Sequence, residues 1–178
     1  MVYKFKEGQV VLFNNNNDNF ISKQITNYNL REYKESKATH AGIISKVDND
    51  KIYIFEIVKL KSAEHYEYDK LWIENKIKDG SIIIREPKIK LTNLYNVCNS
   101  YIDIHYSIID LFSILLFGLT NIKLSLSKMR SVICSELVVR ILYDTSNKKI
   151  DFKKEFNKPY DLITPMDIYY SKQLKTIK

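Results

Sequence analysis

Apolar residues along the chain follow two patterns, which change over near its middle. In the first half they form short β-branched runs closed by polar or turn-forming residues. "GQVVLF" ends in an Asn-rich stretch and predicts a strand from about Gln9 to Phe13. "HAGIISKV" and "KIYIFEIVKL" flank Asp48, Asn49 and Asp50, the pattern of a β-hairpin. "GSIIIREP" reads as a further strand, stopped by Pro87. Between the first strand and the hairpin, "FISKQITNY" spaces Ile21 and Ile25 for a short amphipathic helix from Phe20 to Tyr28. In the second half the apolar positions recur every three or four residues, so "LTNLYNVCNSYI", "YSIIDLFSILLFGL" and "CSELVVRILYDT" predict helices. The expected fold class is α+β, a small antiparallel sheet packed by helices. A length of 178 residues suits one domain with a substantial core.

Helical periodicity singles out Cys134. If a helix begins there, Leu137, Val138, Ile141 and Leu142 share the buried face and the thiol sits in the first turn. Free amide hydrogens and the helix dipole at that place favour an anion, which lowers a thiol's pKa. The same amides, that of Ser135 among them, can serve an oxyanion. A small buried hydrophobe is the competing role for such a cysteine.

A nucleophilic thiol needs a base, and the chain offers His40, His65 and His105. His65, in "SAEHYEYDK", reads as a solvated loop residue, and His105, in "YIDIHYS", as a packed one. His40 opens the strand "THAGIIS" beside Ala41 and Gly42, whose small size leaves the imidazole accessible. Register decides whether it has a partner. With a three-residue loop, Val47 pairs with Lys51, and Glu56 lies opposite Gly42 on the face of His40, about 7 Å away between α-carbons. A two-residue loop puts Glu56 on the other face. Glu56 is the lone acid of "IYIFEIV", and a carboxylate in an apolar strand costs energy unless it is paired or points outward from an edge. His40, Glu56 and Cys134 together form the nucleophile, base and orienter of acyl transfer.

These residues resemble the NlpC-type papain-like hydrolases in their circularly permuted branch, which includes YiiX-like bacterial proteins and poxviral relatives. "EGQVVLF" resembles the opening strand of that family, "ISKQIT" the following helix and "ATHAGIIS" its Ser-His-x-Gly-Ile segment. "IYIFEIV" resembles the strand of the third polar residue, "CSELVVRIL" the nucleophile helix and "YDLITPMDIYYSKQL" the closing segment. The resemblance covers nearly the whole chain and implies Cys134 as nucleophile, His40 as general base and acid, and Glu56 as orienter. Tyr106 resembles a tyrosine that precedes the helix before the nucleophile, a site-adjacent position at which packing is its expected role. Gln9 stands where the family usually has Asp, and Thr39 where it usually has Ser, so Gln9 bears on how the loop near the site is held.

Composition narrows the remaining choices. Hydrophobic residues at 45% and charged ones at 28% argue against disorder and against an integral membrane protein. The net charge of +7 is spread along the chain, and no helix-turn-helix, RRM-like or zinc-finger pattern accompanies it, so nucleic acid is not the expected partner. A spread positive charge does suit an anionic substrate or peripheral contact with an anionic membrane. Cys98 and Cys134 lack the spacing of a structural zinc site, and no leader is visible in "MVYKFKEGQVVLF", so the expectation is a cytoplasmic protein without metal or cofactor. The apolar run from Ile108 to Leu119 contains Asp110, falls short of the ~20 residues that span a bilayer, and reads as a buried helix. The longer segment from Ser107 to Arg130 is a candidate cover for the substrate. The expected substrate is a peptide, an acyl-amide or a lipid-like ester, cleaved by hydrolysis or passed to another acceptor. A binding module that keeps the fold without catalysis is the rival from another class.

Overall fold

In the computed structural model of the chain, residues 3–14, 20–58, 61–107 and 131–177 are described. Among them lie β1 (Val10–Phe13), α1 (Phe20–Tyr33), β2 (His40–Asp48), β3 (Lys51–Ile57), β4 (Ala63–Asp69), α2 (Lys70–Lys78), β5 (Ile82–Pro87) and α3 (Leu94–Ser100). There follow β6 (His105–Tyr106), β7 (Ser131–Val132), α4 (Cys134–Thr145), α5 (Phe152–Phe156), a 3₁₀ turn (Tyr160–Leu162), α6 (Pro165–Tyr170) and β8 (Leu174–Thr176). Six strands make an antiparallel sheet in the order β4-β3-β2-β1-β5-β8. The α+β class is therefore as expected.

The central strands are buried on both faces, which is why "VVLF" and "IYIFEI" read as continuous apolar runs. Val10, Leu12, Ala41, Ile43, Phe55 and Ile57 form one core with Leu137, Val138, Ile141 and Leu142 of α4. Val11, Phe13, Ile44, Ile52 and Ile54 form a second core with Ile73 of α2. Each fully buried side chain of this size contributes about 1.5–3 kcal/mol. α4 is the only described helix tied by buried apolar residues along nearly its whole length, so the position of Cys134 is fixed by packing.

The hairpin departs from expectation and then returns to it. Its loop has two residues, with Asp48 opposite Lys51 and Val47 opposite Ile52, since a two-residue turn matches the twist of paired strands. That register alone would turn Glu56 away from His40. A β-bulge at Ser45 inserts one residue into β2 and shifts the pairing back, so that Ile44 faces Ile54 and Ile43 faces Phe55. One step further, Gly42 lies against Glu56. The Ser45 hydroxyl donates to the Tyr53 carbonyl across the bulge at 3.1 Å.

Other elements correct the sequence reading. α1 continues past Tyr28 to Tyr33, and β1 begins at Val10, not Gln9. "SAEHYEYDK" is mostly the edge strand β4, which is polar because only part of each of its faces is covered. His65 on it is no solvated loop residue: its Nδ1 pairs with the Ser45 hydroxyl at 2.7 Å and its Nε2 with Asn99 Oδ1 at 2.9 Å. His105 is exposed on β6, not packed. The helix expected over Ile108–Leu119 lies outside the described residues, as does nearly all of the 107–130 segment; β6 and β7, on either side of it, pair in parallel. Among the described residues no helix is long and apolar enough to cross a membrane.

β8 closes the sheet beside β5 through a buried arginine. Arg85 donates from its Nη atoms to the carbonyls of Ser171 and Leu174 and to the Thr176 hydroxyl, at 2.6, 2.8 and 2.8 Å.

Gly42 has no room for a side chain, because a Cβ there would stand 2.5 Å from Ile54 Cγ2 and 3.1 Å from Glu56 Cβ. Ile54 is β-branched and buried, so it cannot swing aside. Gly42→Ala is expected to destabilise the protein by about 1–3 kcal/mol, read as a lower urea midpoint.

Candidate active site

α4 starts at Cys134 because Ile133 is extended, with φ −90° and ψ 163°, and the apolar face of the helix takes over at Leu137. Ile133 offers no capping side chain, so the first-turn amides are left for other acceptors. The backbone amides of Ala41 and Ser135 favour the charged form of the thiol. Ser135 turns its own hydroxyl away, donating to the Ile163 carbonyl at 2.6 Å and tying the helix start to the loop before α6. Thr164 and Asp167 then form a capping box that fixes α6, with Pro165 at its first position.

His40 is the first residue of β2 and pairs with Phe13 at the end of β1. Its Nε2 is hydrogen-bonded to Glu56 Oε2, which leaves Nδ1 for the thiol. Glu56 is 2% exposed, and its other oxygen accepts the Tyr68 hydroxyl at 2.6 Å. Tyr68 is itself held between the rings of Phe13 and Trp72. The carboxylate is thus occupied on both sides, and the imidazole has one orientation available.

The electrostatics follow from this arrangement. Burial works against a charged imidazole, but the Cys134 thiolate beside it and the hydrogen bonds to Cys134 and Glu56 outweigh burial and raise the His40 pKa well above its ordinary value. Burial likewise works against a thiolate. The His40 charge and hydrogen bond, with the Ala41 and Ser135 amides, overcome it and lower the Cys134 pKa. The pair therefore favours thiolate and imidazolium. Cys98 has no such neighbours, and burial pushes its thiol up to about 12.

Of the residues singled out in the sequence, the structure brings together Cys134, His40, Glu56, Ser135 and Tyr106. Tyr106 lines a narrow apolar pocket with Cys134, Ser135, Tyr28, Ile133 and Pro165, and burial followed by the Cys134 charge raises its pKa. Gln9 is not brought there. It lies just before β1, at the end opposite Phe13 and roughly 13 Å away along the strand direction. Its side chain instead accepts from the Lys6 amide at 3.0 Å and donates to the Lys4 carbonyl at 3.4 Å. The threonine at position 39 keeps the hydroxyl of the expected serine and donates to the Phe13 carbonyl at 3.3 Å. Two residues were missed: Tyr68, for which the alternation of Tyr66 and Tyr68 was the available strand signal, and Tyr28, the last residue of the expected first helix.

No family model matches the chain, and no curated protein matches it. Among solved structures, the crystal structure of the metalloprotein YiiX from Escherichia coli O157:H7 matches with a TM-score of 0.60, covering 99% of this chain and 98% of that one at 17% identity. The fold is YiiX-like. A YiiX-like fold fixes the sheet and the helices against it; the chemistry rests on the residues described above.

A lowered thiol pKa keeps the thiolate populated as pH falls below the ordinary ~8.5 of cysteine, and reactivity is lost only as pH falls through the lowered value. Alkylation of Cys134 by iodoacetamide is accordingly expected to stay fast below pH 8. In His40→Ala, burial acts with less opposition and the fall in rate moves to higher pH.

Proposed function

We propose that the protein is a cysteine-dependent hydrolase that cleaves an amide or ester bond through Cys134, His40 and Glu56, on a circularly permuted NlpC-type papain-like fold. The observation that carries this reading is one imidazole held between a buried, doubly bonded carboxylate and a thiol at the start of a helix. His40 takes the proton of Cys134, and Sγ forms a bond to the substrate carbonyl carbon. The oxygen of that carbonyl becomes an oxyanion beside the amides at the helix start. His40 then protonates the leaving amine or alcohol as its bond to carbon breaks. Water, deprotonated by His40, attacks the thioester and releases the acid with the thiol restored.

Glu56 acts by orienting His40 and balancing its charge, and Tyr68 acts by fixing Glu56. The apolar lining around Cys134 favours an acyl-bearing substrate, so transfer of the acyl group to an acceptor other than water is the second reading, with the same residues in the same roles. Metal chemistry, suggested by the description of YiiX as a metalloprotein, does not fit these residues. Among the described residues no three His, Cys, Asp or Glu side chains are grouped to hold an ion, and both Glu56 oxygens are already committed to His40 and Tyr68.

With an activated ester such as p-nitrophenyl butyrate, mass spectrometry is expected to detect an acyl group on Cys134. Cys134→Ala should remove turnover by about 10⁴-fold or more, and Glu56→Gln should cost at least about tenfold less than that. Tyr68→Phe removes a single hydrogen bond to the orienter and should slow acylation by about 3- to 10-fold with the ring contacts intact. Equal loss from Cys134→Ala and Glu56→Gln would show orientation to be too small a role for the carboxylate. Acylation that persists in Cys134→Ala would overturn the reading.

A further inference from the structure

The segment from Asn147 to Pro159 has five lysines and two acids, and the fold sorts them differently. The acids serve the structure. Glu155 accepts from Ser171 Oγ and Gln173 Nε2 with one oxygen, at 2.7 and 2.6 Å, and from the Lys172 amide with the other, at 2.6 Å. Asp151 caps α5 by accepting from the Lys154 amide at 3.0 Å. Phe152 is fully buried and its ring stacks on Phe156, so this turn of helix is anchored and its lysines stand on a fixed base. Lys153 and Lys154 are exposed, and among the described residues neither ammonium group has a carboxylate partner.

Both lysines line a cleft of about 600 Å³ together with Asp151, Lys158, Tyr143 and Tyr160. That volume is ample for a small molecule. Lys158 is paired with Asp167 at 3.0 Å and adds no net charge, and Asp151 offsets one further cation. Lys148 and Lys149, exposed and likewise without a carboxylate partner among the described residues, restore the excess. They stand beside Tyr143, whose carbonyl accepts from the Lys148 amide at 2.8 Å. The rings of Tyr143 and Tyr160 meet edge to face at 5.9 Å, and among the described residues neither phenol hydroxyl is hydrogen-bonded. Burial, with the charge of Asp151 next, raises the Tyr160 pKa, so its O–H remains a donor.

We propose that this cleft binds a phosphate monoester carried on an organic body, the phosphate held by Lys153 and Lys154 and the body laid against Tyr143 and Tyr160. A phosphate monoester has a charge of about −1.5 to −2 at neutral pH and three acceptor oxygens, which suits two unpaired ammonium groups with phenol donors beside them. Tyr143 lies nine residues beyond Cys134 on α4, roughly 13 Å along the helix. The cleft is therefore separate from the thiol, and the proposal does not depend on the reaction there.

The test is an amide-resolved NMR titration at low salt with phenyl phosphate, inorganic phosphate and benzenesulfonate. Phenyl phosphate is expected to bind saturably, to shift the amides of residues 151–160, and to bind more tightly than the other two, which lack the ring or the second charge. Lys153→Ala combined with Lys154→Ala should weaken it about tenfold or more, with the Tm level because neither side chain is paired. Lys46→Ala combined with Lys51→Ala removes the same charge from the β2–β3 hairpin, where the two lysines pair with Asp48 and Glu67, and should change binding less than about twofold. Vesicles containing phosphatidylinositol 4-phosphate distinguish the two sources of such a group. Sedimentation with them, lost in the Lys153 and Lys154 double variant, assigns a lipid headgroup; its absence while phenyl phosphate still binds assigns a free phosphate ester, and either upholds the site. Equal weakening by the two double variants, benzenesulfonate binding as tight as that of phenyl phosphate, or no saturable shift at 151–160 would overturn it.

Discussion

A carboxylate enclosed between β-strands is the constraint on which the rest of the site depends. Removing one partner from a buried ion pair costs about 3–5 kcal/mol, a large part of the ~5–15 kcal/mol that holds an ordinary domain together. Glu56 therefore has to be satisfied, and the fold satisfies it with His40 on one oxygen and Tyr68 on the other. Each partner is placed by something else: His40 by its pairing with Phe13, Tyr68 by the rings around it. The imidazole orientation thus follows from a requirement of folding stability. Its proximity to Cys134 is set independently, by the packing of α4 against the sheet.

The two halves of the site consequently use different physics. The strand half is a hydrogen-bonded polar group in an apolar sheet, where geometry is enforced by the penalty for leaving it unpaired. The helix half is an uncapped terminus, where donors are left over by backbone geometry and a thiolate collects them. Neither half lowers the thiol pKa against burial alone. The imidazolium supplies the charge, and the amides of Ala41 and Ser135 supply the remaining donors.

Much of this was legible in the sequence, and the exceptions share a cause. α4 was readable because its apolar positions repeat along one face, which packs against the sheet. The alignment of Glu56 with His40 was readable only on the supposition of a three-residue loop: the loop has two residues, and a bulge at Ser45 restores the alignment that a two-residue loop alone would lose. A bulge leaves no mark in an apolar run. β4 was hidden because an edge strand has a polar pattern, and Tyr68 was hidden with it. Gln9 was placed by resemblance, yet nothing local ties a side chain at one end of a strand to a site at the other.

The lock between Arg85 and the last strand bears on how the protein is made. Arg85 and Leu174 are 89 residues apart, and β5 leaves the ribosome long before β8 exists to cover it. At elongation rates of about 5–20 residues per second, β5 spends several seconds as an open edge carrying a cation whose acceptors have not yet been translated. Pairing of β2 and β3 is local, so the segments that join His40 to Glu56 both precede the thiol helix in the chain. The strand that seals the sheet follows that helix, so the orienting pair and the closing edge lie on opposite sides of the nucleophile in sequence.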